Sequence, residues 1–242
     1  MRGPGAVPVP LPISVRSLER LLLWSIVGLV LTHETLMGLR FWGGHTSALG
    51  LVRLFDLDLE DNLPTCFAAL QILVAAALAA LLARAQGHER GRDARPWRAV
   101  AAVLALLAID EASMLHEQLA HLGRTLVGSE PARGLLSFTW VVPAGLLVIA
   151  VALLLLQFVL RQPTQLRNRF FVAAGLYVGG AIGMEMLGAA WVDRHAWDNP
   201  VYRMCLMPAE ETLEMLGIWV LIGGFLAELR ARAPRFELQV GG

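Results

Sequence analysis

Lysine is absent from all 242 residues, and every one of the twenty basic side chains is arginine. Without a lysine amine the chain cannot hold a Schiff-base cofactor such as retinal or pyridoxal phosphate. Charge of either sign is scarce at 17% of residues; it balances to zero, and the arginines are scattered through short segments. That pattern excludes a basic surface for nucleic acid. No Gly-rich phosphate loop appears, and no Ser or Cys nucleophile stands beside an obvious base. The Glu-x-x-His pair of soluble di-iron bundles is missing too. The word HEQLAH, residues 116–121, has one residue too many for the His-Glu-x-x-His of zinc proteases.

What is present is apolar: 56% of residues are hydrophobic and the mean hydropathy is +0.58. These values predict an all-α, polytopic integral membrane protein of one domain, 1–242. Six apolar runs are long enough to cross a hydrocarbon core of roughly 30 Å. They lie near 21–39, 65–83, 99–121, 138–160, 170–191 and 209–229. Residues 1–20 lack the order of a cleaved signal peptide and read, like 230–242, as a cytoplasmic tail. With both termini inside, fourteen arginines fall on the inner side and six on the outer. This asymmetry predicts that orientation, in a bacterial inner membrane.

One stretch interrupts the apolar pattern. Ile109 to His121 reads IDEASMLHEQLAH, and as one helix it gathers Asp110, Met114, Glu117 and His121 into a stripe, with Glu111 at its border and His116 turned away. Counting about 1.5 Å per residue from the inner arginines brings Glu34, Glu111, Glu185 and Glu214 to one level, roughly 20–24 Å up. His33, His116, Glu117 and Glu211 fall at or just above it, and Glu210 sits at the membrane edge. The second and fourth runs carry no acid or histidine. The expected bundle is therefore an inner four-helix arrangement of spans one, three, five and six, with two apolar helices outside it. Glycines in spans one, five and six favour close approach. Pro143 predicts a kink in span four.

So many carboxylates cannot all stay ionised in low dielectric without metal ions, protons or water. Metal also accounts for the histidines. The expected ligands are His33, Glu34, Asp110, Glu117, His121, Glu185, Glu211 and Glu214, holding two divalent ions, iron or manganese before zinc. Glu111 and His116 are the expected acid–base pair or outer partners. The function this predicts is a two-metal oxidoreductase acting on a lipid or other apolar small molecule from the outer half of the bilayer. A metal-dependent lipid hydrolase is its variant, and a transporter or channel for protons or divalent cations the alternative. The acidic run FDLDLEDN, residues 55–62, reads as a solvated face. Trp191, Trp197 and Tyr202 read as interfacial anchors. Cys66 and Cys205 share the outer side; two free buried thiols are expected, with a disulfide as the other possibility. No oligomeric state follows from the sequence.

Overall fold

A computed structural model describes residues 15–87, 94–128 and 132–232. Most of the first expected tail, residues 233–242 of the second, and with them Arg2, Arg90, Arg92 and Arg235 lie outside the described residues. Among those described, every regular element is helical. In order they are α1 (Val15–Phe41), the short α2 (Leu51–Phe55), α3 (Leu63–Gly87), α4 (Ala94–Ser113), α5 (Leu115–Gln118) and α6 (Ala120–Val127). Then come α7 (Val141–Leu160), α8 (Thr164–Val178), α9 (Glu185–Val192) and α10 (Met207–Arg232). A π-helical turn, Gly179–Met184, joins α8 to α9, and a second, Tyr202–Leu206, leads into α10. Five spans are long and apolar enough to cross a membrane, as a membrane protein requires; counting the bent α4 segment with its continuation makes six.

Both ends of the described chain lie at one end of the bundle. The Glu19 carboxylate of α1 stands 3.7 Å from Arg169 of α8, and the Trp219 indole of α10 donates to the Glu19 carbonyl at 2.8 Å. This is the proximal end. At the opposite, distal end the imidazole of His33 meets the backbone of Arg203.

The arrangement of spans differs from the expected one. α10 is central and packs against α1, α3 and α8, while α3 pairs along its length with α4. The second apolar run is thus an inner helix: Ala75, Ala79 and Leu82 are fully buried, in one core with Trp97, Val100 and Leu104 of α4. Its lack of charge suggested lipid exposure, but its alanines are what let a neighbouring backbone come close, as small residues do between membrane helices. α7 does lie outside, with Leu146, Leu147, Ile149, Leu153 and Leu154 exposed as lipid-facing side chains are. Pro143 produces no kink, because α7 begins at Val141 and a proline in the first turn removes no helical hydrogen bond.

The third span is broken. At Met114 the backbone turns left-handed (φ 51°), and the segments 94–113 and 115–127 meet at 83°. The expected stripe is therefore not formed. Asp110 accounts for the break: its Oδ1 accepts the His116 N–H at 2.6 Å, so the carboxylate satisfies the new segment's backbone instead of lying along one continuous helix. Glu117 and His121 are carried onto the bent arm and are exposed.

Close approach is tightest where α8 crosses α10. A Cβ on Gly217 would stand 2.9 Å from both the Ala173 carbonyl oxygen and the Tyr177 amide nitrogen, which are backbone atoms unable to rotate aside. Gly217→Ala is expected to force the helices apart at a cost of about 1–3 kcal/mol. Gly175→Ala, which meets nothing within 4 Å, is expected to stay within roughly 0.5 kcal/mol. Melting curves of the two variants in detergent test this; equal midpoints would refute the tight crossing.

At the proximal end the interior is closed by rings. Trp97 lies 5.2 Å from Phe158 and 5.2 Å from Phe225, both edge-on, and Phe170 touches all three. Edge-to-face pairs of this kind add about 0.5–1.5 kcal/mol each beyond burial.

Candidate functional site at the distal end

The distal end is organised by a strap, residues 56–62, between α2 and α3. Asn62 caps α3, accepting the Thr65 N–H at 3.2 Å, and its amide donates to the Asp56 carbonyl at 2.6 Å. Asp56, 1% exposed, and Asp58 both receive the Arg203 guanidinium. Tyr202 is buried rather than an interfacial anchor: it donates to Asp58 at 3.2 Å and stacks on Trp197. The acidic run is therefore not a solvated face. The acids alternate along a run of turns and bends, and a buried arginine from the start of the last span neutralises two of them.

His33 belongs to this strap and not to a ligand set. Its Nδ1 accepts the Leu57 N–H at 3.1 Å, so its Nε2 carries the hydrogen and donates to the Arg203 carbonyl at 2.9 Å. Both nitrogens are occupied, and no lone pair remains for a metal.

Below the strap lies a small cavity lined by Gln71 and Ala68 of α3, Glu111 of α4, Tyr177 of α8, and Glu211 and Glu214 of α10. The Tyr177 hydroxyl and the Glu214 carboxylate are neighbours in its wall. The glutamates are deep yet only half-buried, because the cavity wall they form is open to a water-sized body. Gln71 is 2% exposed, and neither its Oε1 nor its Nε2 has a partner. An amide left so in a protein interior costs about 1–3 kcal/mol per unsatisfied group.

A second polar group adjoins the cavity. The Asp110 Oδ2 lies 3.2 Å from the His116 Nδ1, the His116 ring rests on Trp140 at 4.5 Å, and the Trp140 indole donates to the Glu185 Oε1 at 3.1 Å. Glu185 in turn lies beside Glu210 of α10. The π-helical turn just before Glu185 contributes to this placement: it allows Gly180 to seat against Glu210 and Glu214, at 2.8 Å from where a Cβ would stand.

Of the residues expected from sequence, the structure brings Asp110, Glu111, His116, Glu185, Glu211 and Glu214 together. Glu34, half-buried on α1, has none of the other acids as an electrostatic neighbour, and Glu117 and His121 are exposed. Among the described residues no group of three or more His, Cys, Asp and Glu is gathered so as to hold a metal ion. The expected two-metal ligand set is thus not assembled there. Cys66 and Cys205 are free thiols, as expected, but both are exposed and not buried.

Sequence reasoning missed Glu60, Gln71, Trp140, Tyr177 and Arg203. Glu60 on the strap faces His116, Glu117, Asp110 and Glu111, and its Oε2 is buried without a partner. Burial, reinforced by Glu117 and Asp110 and opposed by His116, pushes its carboxyl up to about 7 from an ordinary 4.5. A carboxyl raised in the folded state binds its proton more tightly there than in the unfolded chain. Its contribution to stability is therefore complete below pH 4.5 and lost as pH rises through 7. Melting temperature in detergent is expected to fall across this window, and Glu60→Gln to flatten the fall. An unchanged slope in the variant would refute the burial of Glu60.

The comparisons with known proteins give a family. Residues 21–229 match a family described as a domain of unknown function (DUF8692), and the chain belongs to it. No curated protein and no solved structure matches.

Proposed function

We propose that this family member is a membrane-embedded, metal-dependent enzyme whose carboxylate-rich centre works in the outer half of the bilayer, with both termini cytoplasmic. Its substrate is a lipid or another apolar molecule. The observation that carries this reading is one-sidedness: acids from α4, α9 and α10 converge at a distal cavity, while the proximal interior is filled by Trp97, Phe158, Phe170 and Phe225. Arg203 is committed to Asp56 and Asp58, so the charge of Glu111, Glu211 and Glu214 calls for a cation from outside the chain. A bound divalent metal supplies Lewis acidity at this place. Glu111, Glu211 and Glu214 offer it their oxygens, and His116, oriented by Asp110, takes or gives a proton at Nε2. Trp140 and Glu185 hold the far wall of that acid–base group. Oxidoreductase chemistry goes with iron or manganese, and hydrolysis with zinc.

Elemental analysis and an optical spectrum of detergent-purified protein test the reading. Stoichiometric iron, manganese or another divalent metal supports it. Protein with neither metal nor any divalent-cation uptake overturns it. A second reading, a transporter of protons or divalent cations, is favoured by the adjacency of the Glu185 and Glu210 carboxyls. That reading needs the proximal rings to part. Reconstituted liposomes with proton- or cation-dependent flux would support it, and silent vesicles would count against it.

A further inference from the structure

We infer that Gln71, with Glu111, Glu211, Glu214 and Tyr177, forms a seat for a single hard divalent cation of the manganese or magnesium class. This rests on the metal-dependent reading and deepens it: one ion held by oxygen alone, where the sequence led to an expectation of two ions with mixed imidazole and carboxylate ligands. The four helices α3, α4, α8 and α10 each contribute a polar group to the cavity wall. Gln71 is the informative one. Its amide is 2% exposed and unpartnered at both atoms, in a wall otherwise completed by Ala68, Ile72, Met215 and Ile218. A buried amide among carboxylates is a neutral oxygen donor that helps fill the coordination sphere of an ion without adding further charge. Amide and carboxylate oxygens completed by water are the ligand type that magnesium, calcium and manganese take.

Three further observations fit one ion and not two. The cavity has room for about one water-sized body. No imidazole reaches it: His33 is bonded at both nitrogens, His116 is held by Asp110, and His121 is exposed. Finally, among the described residues the acids and histidines do not form a metal-holding group by themselves. An ion seated here therefore needs the amide oxygen as well. The seat also explains why a glutamine is tolerated in the otherwise apolar length of α3.

Manganese titration of the full chain in detergent, followed by the loss of the free-ion electron paramagnetic resonance signal, tests the seat. Wild type is expected to take up one ion per chain, competed by magnesium. Gln71→Leu is expected to weaken binding by about tenfold or more, with its helical circular dichroism unchanged. Gln71→Glu is expected to keep one ion per chain, to bind it more tightly and to gain more in melting temperature on adding manganese. This variant carries the test if Gln71→Leu does not fold. One ion per chain with both variants titrating like wild type would overturn the seat and leave the metal-dependent reading standing. Two ions per chain would overturn it in favour of the two-metal centre. No uptake of manganese or of any other divalent ion by wild type would overturn both.

Discussion

Arg203→Met is expected to destabilise the protein by about 3–5 kcal/mol, the range for breaking a buried ion pair from one side. The guanidinium is 7% exposed and Asp56 1%, so methionine leaves two carboxylates facing one another, one of them wholly without water. The loss does not stay local. The Arg203 carbonyl anchors His33, His33 anchors the Leu57 amide, and Asn62 ties the same strap to the first turn of α3. Glu60 is held over the site by that chain of contacts. Thermal unfolding in detergent reads the effect, and adding Asp56→Asn and Asp58→Asn to Arg203→Met is expected to restore a large part of it. A melting point for Arg203→Met within a degree of wild type would mean that the pair is solvated in the membrane.

Glu214→Ala and Glu117→Ala are expected to separate completely. Glu214 lines the cavity beside Tyr177 and Gly180, whereas Glu117 is exposed on the bent arm after Met114. Removing Glu214 should lower cation affinity at least about 100-fold, beyond the range for partners outside the coordination sphere. Removing Glu117 should leave it within a factor of roughly 2, the effect of one exposed charge screened by solvent and salt. Metal content after dialysis against a dilute chelator distinguishes them. Equal loss in both would mean that the third span runs straight and that its stripe faces the site.

Much of the scaffold is legible in the sequence because apolar run length is a one-dimensional signal. Each of the six runs corresponds to a helix or a bent helix pair. Which runs lie inside was harder to read. Absence of charge placed α3 outside, yet Ala68, Ala75, Ala76, Ala79 and Ala83 already spelled out a face made for contact. The break at Met114 was hidden because a helical stripe and a capped turn use the same residues. Asp110 offers a local hydrogen-bond acceptor that competes with the helix, and the Ser113 hydroxyl donates back to the Ile109 carbonyl; that pair was the available clue. The site is half legible. Depth along the helices brought Glu111, Glu185 and Glu214 to a common level, and the structure joins them. Arg203 and its aspartates are some 145 residues apart in the chain, and no local pattern announces such a pair. Gln71 was visible but set aside, since a lone amide in an apolar helix draws attention only once its unpartnered atoms are seen.

The ring cluster at the proximal end also sets where the transmembrane voltage falls. Glu214 lies sixteen residues from Arg230, about 24 Å up a core of roughly 30 Å, so with the distal end outside, an ion reaching it crosses only the first fifth of the field. Moving two charges that far is worth roughly 1 kcal/mol per 100 mV, about a fivefold change in occupancy. The remaining drop lies across the packed side chains of Trp97, Phe158, Phe170 and Phe225. An energised membrane would thus hold the cation more firmly while carrying no steady current, and collapsing the potential would release part of it.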